Sequence, residues 1–220
     1  MNISKILISL GKPLLLAGAV LLTACSINPQ EGSAKQYTSG YDRSTGFVNE
    51  FDIASVTVAP EQIVVMFRVN ASPGRAFELV SELDQISTWF TDIKNPSVDN
   101  TKSLNGPDAL GTHSVRSCSL EGDLLVEEIV YYDKEKRAYA YAINQELSTV
   151  SFPITSPVSL FTVEPDGQGG SLVTWRHHFN KKFHIAAPVL NLVMKKTILE
   201  PAVENLFLQY GGEWVEPING

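Results

Sequence analysis

The chain of 220 residues is 44% hydrophobic and 19% charged, which suits a globular protein of one or two domains with a packed core. Its 17 Lys and Arg against 24 Asp and Glu give a net charge of −7, which argues against a nucleic-acid binder because neutralising phosphates needs a basic face. The two cysteines, Cys25 and Cys118, exclude a disulfide framework and a cysteine-rich zinc site.

The first 24 residues have the features of a secretory signal peptide. A basic start is followed by an apolar run at 13–24, which is too short for a bilayer span of roughly 20 residues. The run ends at Leu22-Thr23-Ala24-Cys25, which resembles the lipobox of bacterial lipoproteins, where the cysteine thiol is lipidated and becomes the new N-terminus. Two alternatives are an ordinary cleaved signal with a chance cysteine and an uncleaved anchor.

The predicted mature chain has a tether, a folded domain and a tail. Residues 25–46 are polar without apolar periodicity and predict a flexible tether, followed by a domain at 51–212 and a loose tail at 213–220. Lipidated Cys25 would hold the acidic domain at a membrane. In lipoproteins of this kind, Ser26 implies the outer membrane, so we expect the bacterial cell envelope, facing the periplasm.

The domain begins with two predicted strands and two helices. The β-branched and aromatic runs at 53–58 and 61–70 indicate strands. Ser72 is a good helix cap and Pro73 suits the first helical position, so a helix follows, with a second short helix near residues 86–93. The turn signals of residues 95–111 predict a loop.

The second half predicts an antiparallel meander and a long helix. The strands are expected at 112–120, 124–132, 137–144, 158–164 and 171–179, joined by short turns. Apolar residues at helical spacing extend over 187–210, with Pro201 as a candidate kink and Gly211 as the end. The predicted class is α+β, with the helices on one face of the sheet.

Several of these segments carry a family pattern. The first is Val65-x-Phe67-x-Val69-x-Ala71-Ser72-Pro73-x-x-x-Phe77-x-Leu79-Val80. The others are Trp89, Gly111, Gly122, Val126-Glu127, Asp133, Tyr141, Phe161-x-Val163 and Val173-Thr174-Trp175, with Phe179 closing the last strand. Together they cover residues 63–210 and resemble the helix-grip fold of the START-like (SRPBCC) superfamily, in its polyketide cyclase/dehydrase and lipid transport branch.

The resemblance implies a cavity between a curved antiparallel sheet and the last helix, which receives a hydrophobic or amphipathic small molecule. Strand alternation and helical spacing supply candidate lining residues. They are Trp89, Arg116, Glu127, Tyr139, Tyr141, Phe161, Trp175, His177, Phe179, Leu190 and Met194.

Glu127 is the most informative of these candidates. It shares one face of its strand with Leu125, Ile129 and Tyr131, and the resemblance favours that face pointing inward. An apolar cavity would raise the pKa of the carboxyl group, unless a partner such as Arg116 keeps it ionised. Glu127 could then contact a ligand or act as an acid or base; the alternatives are a water-facing side chain and an inert internal pair. Related sequences often carry an arginine where this chain has Ser114.

The sequence predicts no metal and no cofactor. His177 and His178 are neighbours on a strand and should point to opposite faces, while His113 and His184 have no suitable partners. Phosphate-loop, dinucleotide and nucleophile-elbow motifs are absent from the sequence. Cys118 is expected to be a buried, inert thiol.

Three functions remain open at this stage. The favoured hypothesis is a lipid-anchored envelope protein that binds, and could carry, a hydrophobic small molecule or lipid. The second is a cyclase or dehydratase that uses Glu127, His177 or a tyrosine as acid and base. The third is a non-catalytic interaction module whose cavity has collapsed into core.

Overall fold

The computed structural model describes residues 41–42, 47–48, 51–182 and 187–215. Cys25 and His184 lie outside the described residues. Three short strands, β1 (Tyr41–Asp42), β2 (Phe47–Val48) and β3 (Phe51–Asp52), form a small antiparallel sheet in which β2 pairs with both of its neighbours.

The domain is built on one eight-stranded antiparallel sheet, which confirms the predicted α+β class. Its strand order is β11-β4-β10-β9-β8-β7-β6-β5, so the meander pairs neighbours in sequence. The strands are β4 (Glu61–Val69), β5 (Ile93–Asp99), β6 (Val115–Leu120), β7 (Asp123–Asp133), β8 (Ala138–Ile143), β9 (Ile154–Pro165), β10 (Ser171–Lys181) and β11 (Gly212–Val215).

Two short helices follow β4: α1 (Pro73–Ser81) and α2 (Leu83–Trp89). Pro73 lies in the first turn of α1, where a missing N–H costs nothing, as predicted. Ser72 occupies the N-cap position, but its side chain makes no capping hydrogen bond.

The predicted C-terminal helix is continuous but irregular. It consists of α3 (Ala187–Met194), a π-helical turn (Lys195–Leu199) and α4 (Glu200–Tyr210). The Glu200 N–H bonds the Lys195 carbonyl, five residues back, directly before Pro201, which has no N–H to donate. The irregularity expected at Pro201 therefore takes the form of a wide turn. No helix of the described part is long and apolar enough to span a membrane.

The two faces of the sheet differ in side-chain size. On the helix-covered face, Tyr139, Phe161 and Trp175 stack across three neighbouring strands, with ring centroids 5.3 and 4.7 Å apart. On the opposite face, Ala138 and Ala140 are fully buried beneath the segment that precedes β4. In β8, the aromatic residues therefore lie on the helix-covered face of the sheet and the alanines on the opposite face.

The prediction of a strand at 53–58 is wrong. Asp52 caps a single 3₁₀ turn at Ile53–Ser55, where its Oδ1 accepts a hydrogen bond of 2.9 Å from the Ala54 N–H. Ile53 is buried against the alanines of β8. The segment is an irregular cover for the outer face, because the small alanine side chains leave room for it there.

Three further boundaries depart from the prediction. The expected loop at 95–111 begins with strand β5, an exposed edge strand whose pairing with β6 shifts around Pro96, as an edge tolerates. The expected tail at 213–220 contains β11, in which Trp214 packs edge-on against Phe207 at 5.3 Å. Strand β9 starts four residues earlier than residue 158.

A bulge in β7 corrects one predicted face. The pairing of β7 with β8 shifts between Ile129 and Tyr131, so Tyr132, not Tyr131, packs on the helix-covered face against Phe77, at 5.5 Å. Tyr131 stacks instead on Phe51 at 4.1 Å on the outer face. The prediction that Tyr131 shares the face of Glu127 is therefore wrong.

Candidate functional site

A cavity of about 110 Å³ lies between the aromatic face of the sheet and the helices. Leu83, Ile86 and Trp89 of α2 line one side, and Met194, Ile198 and Leu199 of the C-terminal helix line another. Its wall is mostly apolar, and its volume approaches the roughly 150 Å³ of an engineered cavity that holds one benzene molecule.

The structure brings ten of the eleven predicted lining residues together around this cavity. They are Trp89, Arg116, Glu127, Tyr139, Tyr141, Phe161, Trp175, His177, Phe179 and Met194. Leu190 is buried in the adjoining core and does not line the cavity. Contact of these residues with a ligand stays a prediction.

Three of the predicted polar side chains donate hydrogen bonds to the last carbonyl groups of α1. Trp89 Nε1 donates to the Leu79 carbonyl at 2.8 Å, and Arg116 Nη1 donates to the Ser81 carbonyl at 3.0 Å. Tyr139 Oη donates to the Val80 carbonyl between them. The last carbonyls of a helix lack partners within the helix, so these donors satisfy groups that would otherwise be buried unpaired.

Arg116 and Glu127 form a buried ion pair on the cavity wall. They face each other directly in the pairing of β6 with β7, and Arg116 Nη2 donates to Glu127 Oε2 at 2.7 Å. Burial disfavours the charged guanidinium, but the Glu127 carboxylate together with Tyr139 and Tyr141 outweighs this effect and raises the pKa of Arg116 above its ordinary value. Of the possibilities left open by the sequence, the structure has Glu127 inward and paired.

The guanidinium is also held by aromatic rings. It lies 4.9 Å from the Tyr141 ring centroid and 5.6 Å from that of Tyr139, within cation–π range. Ser114, at the position where related sequences often have arginine, serves the preceding loop. Its Oγ accepts from the Gly111 N–H at 3.0 Å and donates to Asn100 Oδ1 at 2.8 Å.

His177 is one of two histidines on the cavity wall. Its Nδ1 lies 2.9 Å from Ser159 Oγ, and its ring centroid lies 4.6 Å from that of Trp175. Burial, with a smaller contribution from His178, lowers the pKa of His177 to about 3. The imidazole is therefore uncharged at neutral pH.

His178 also lines the cavity, but its imidazole has other neighbours. His178 Nδ1 lies 3.4 Å from the Ala59 carbonyl, and burial lowers its pKa while Glu61 opposes that shift. The described residues contain no cluster of three or more His, Cys, Asp or Glu that could hold a metal ion. Cys118 is buried, and burial raises the pKa of its thiol to about 11, which keeps it protonated.

Sequence reasoning missed several lining residues, and Ser159 is the most important of them. Phe161 was predicted to point inward, so alternation along β9 places Ser159 on the same face. A small polar residue between apolar neighbours was the available signal. Ile154 was missed because the predicted strand began only after Pro157, and Phe152 because it lies in the connection before β9.

Comparisons with known proteins place this architecture. A START superfamily protein from Mycobacterium smegmatis is similar with a TM-score of 0.54 and 15% identity, over 69% of this chain and 97% of that chain. A protein from Thermobifida fusca has a TM-score of 0.54 at 21% identity, over 68% and 92% of the two chains. The protein XoxI from Bacillus cereus has a TM-score of 0.53 at 18% identity, over 67% and 94%. No curated protein matches the sequence significantly.

The structural likeness, at these identities, establishes the fold and confirms the predicted START-like, helix-grip architecture. The sequence itself matches the model of the family described as polyketide cyclase / dehydrase and lipid transport over residues 60–207. That match runs from the start of β4 into α4 and takes in every element that lines the cavity. The chain therefore belongs to the polyketide cyclase / dehydrase and lipid transport family.

Proposed function

We propose that the protein binds a small hydrophobic or amphipathic molecule in the cavity between its sheet and its C-terminal helix. The observation that carries the proposal is a mostly apolar cavity whose few polar groups are fixed in place by hydrogen bonds. Such a lining is the usual form of a small-molecule site. Family membership supports the same conclusion.

The chemistry of the wall favours binding over acid–base catalysis. A general acid or base works best with a pKa near the working pH. The pKa of His177 is far below neutrality, and burial raises the pKa of Tyr139 and Tyr141 above their ordinary values. Glu127 is bonded to Arg116. A cyclase or dehydratase is therefore the second candidate, and the described side chains give it less support.

The size of the cavity limits what fits without movement. A volume of about 110 Å³ suits a single ring with little adjustment, and an acyl chain requires the wall to move. The C-terminal helix is the side best able to yield, since its π-helical turn supplies Ile198 and Leu199 to the lining. Met194 adds a flexible side chain that can shift to enlarge the space.

Filling the cavity tests the proposal. The Ile198→Trp substitution places a much larger side chain at the lining, and we expect it to weaken binding of 4-fluorotoluene by at least about tenfold. The measurement is ¹⁹F NMR line broadening of the probe against the full chain, with circular dichroism to show that the variant is folded.

The matched control is Leu208→Trp, which adds the same indole to the same helical region at a side chain that is 85% exposed. It should leave probe binding unchanged. If the unaltered chain binds no apolar probe, and mass spectrometry of extracts from its native host finds no small molecule bound to it, the proposal is wrong. Equal binding by a folded Ile198→Trp variant would place the probe elsewhere.

We further propose that the chain is anchored in the bacterial envelope through lipidated Cys25. The support is the apolar run at 13–24 that ends in Leu22-Thr23-Ala24-Cys25. Expression in a Gram-negative host with an alkyne-bearing palmitate analogue should label the chain and leave Cys25→Ser unlabelled, while Cys118→Ser keeps the label. Equal labelling of both variants, or labelling of neither the natural chain nor the variants, contradicts the anchor.

A further inference from the structure

Residues that line the cavity carry four buried polar atoms without a hydrogen-bond partner among the described residues, and His177 Nε2 is one of them; the others are Arg116 Nε, Trp175 Nε1 and His178 Nε2. His177 is 8% exposed and lines the cavity, and no described residue forms a hydrogen bond with its Nε2. Buried polar atoms are nearly always paired in folded proteins, because an unpaired one has lost its bonds to water without replacement. A bound molecule that offered a bond to this atom would recover that loss.

The position of Nε2 is fixed from the other side of the ring. Ser159 Oγ lies 2.9 Å from Nδ1, and the imidazole packs against Trp175. If the serine hydroxyl donates to Nδ1, Nε2 carries the hydrogen and donates; in the other tautomer Nε2 accepts. A hydroxyl group can pair with Nε2 in both states, because it both donates and accepts, and it is the smallest such group.

The charges of the wall indicate that the bound molecule is uncharged. Arg116 and Glu127 are paired with each other at 2.7 Å, and the Arg116 guanidinium also bonds the Ser81 carbonyl. His177 contributes no charge. An ionised carboxylate or amine entering this cavity would lose its hydration and find each charge of the described lining already neutralised.

We propose that the ligand is an uncharged, mostly apolar molecule whose single hydroxyl group hydrogen-bonds His177 Nε2. This inference rests on the proposed function and names its ligand class: a phenol or a compact alcohol. The apolar body lies against Trp175, Phe161 and the C-terminal helix, and the cavity volume suits one ring.

Three matched probes test the ligand class on the full chain: 4-fluorophenol, 4-fluorotoluene and 4-fluorobenzoate, which differ in one substituent. We expect the phenol to bind at least as tightly as the toluene, although water solvates the phenol better, and the benzoate to bind weakest. In His177→Phe, the ratio of phenol to toluene affinity should fall about tenfold, since the partner of the hydroxyl is gone.

His177→Gln restores a group that can donate and accept, and should recover part of the phenol preference if the hydrogen bond is its cause. The proposal is overturned if benzoate binds the natural chain more tightly than phenol, or if a folded His177→Phe keeps the natural ratio. If His177→Phe does not fold, the comparison of phenol with benzoate on the natural chain decides. Toluene binding that is tighter than phenol binding rejects this inference alone, whereas no binding of any probe, together with no molecule found in extracts from the native host, rejects the proposed function.

Discussion

Replacing Arg116 with methionine is expected to lower the free energy of unfolding by about 3–5 kcal/mol, the range for breaking a buried ion pair by removing one partner. The side chain is 2% exposed. Its removal leaves the Glu127 carboxylate buried without its counter-charge, and the Ser81 carbonyl without its donor at the end of α1. Urea unfolding followed by circular dichroism measures the change.

A double substitution separates the two sources of this loss. In Arg116→Met with Glu127→Leu, neither charge is buried, and replacing a buried pair by apolar groups is often neutral or stabilising. The double variant should therefore be more stable than Arg116→Met alone, with the remaining deficit assigned to the Ser81 carbonyl. A loss below about 1 kcal/mol in Arg116→Met, the level of an exposed pair, would show that the ion pair contributes little to stability.

This result would also bear on function. The sequence presented Glu127 as the best candidate for contact with a ligand, with Arg116 as its possible partner. In the structure both are committed to each other, and Arg116 additionally to the helix α1, so their first role is to keep the wall of the cavity intact. Ser159 and His177, which bond each other, also line the cavity. Ser159 was not among the predicted residues.

Periodicity predicted the cavity side of the sheet because side chains alternate strictly in a regular strand. Tyr139 and Tyr141 opposite three alanines, and Trp175 with His177 and Phe179, were assigned to the correct face on this basis alone. The bulge between Ile129 and Tyr131 shows where that reasoning ends. One extra residue reverses the alternation, and the pairing with β8 is where it becomes visible.

Hydrogen bonds between distant residues were outside the reach of the sequence. Tyr139 and Val80 are 59 residues apart, and Arg116 and Ser81 are 35 apart. No local pattern links an aromatic strand to the end of a helix, so the capping role of these side chains became visible only in the packed fold. Pro96 was interpreted as a turn signal and led to the prediction of a loop. It lies instead inside β5, an edge strand, where a proline is tolerated.

The folded protein is expected to lose stability on acidification, because burial keeps His177 uncharged. The pKa of His177 is about 3 in the folded protein and about 6.5 in an unfolded chain. Between these values the unfolded chain binds a proton that the folded chain does not, so stability falls as the pH falls. Above pH 6.5 the imidazole is neutral in both states and its contribution is constant. The expected loss from pH 7 to pH 5 is about 2 kcal/mol from this residue.

Substituting His177 should therefore flatten the pH dependence of folding. In His177→Phe, the difference in unfolding free energy between pH 7 and pH 5 should shrink by about 2 kcal/mol relative to the natural chain. The window stays above the range where most carboxylates titrate, and His178, whose pKa burial also lowers, retains its own share of the slope. Ser159→Ala is the control: it removes the contact at Nδ1 but leaves the imidazole buried, so the slope should persist. An unchanged slope in His177→Phe would mean that water or a bound group reaches His177 and lets it protonate in the folded protein.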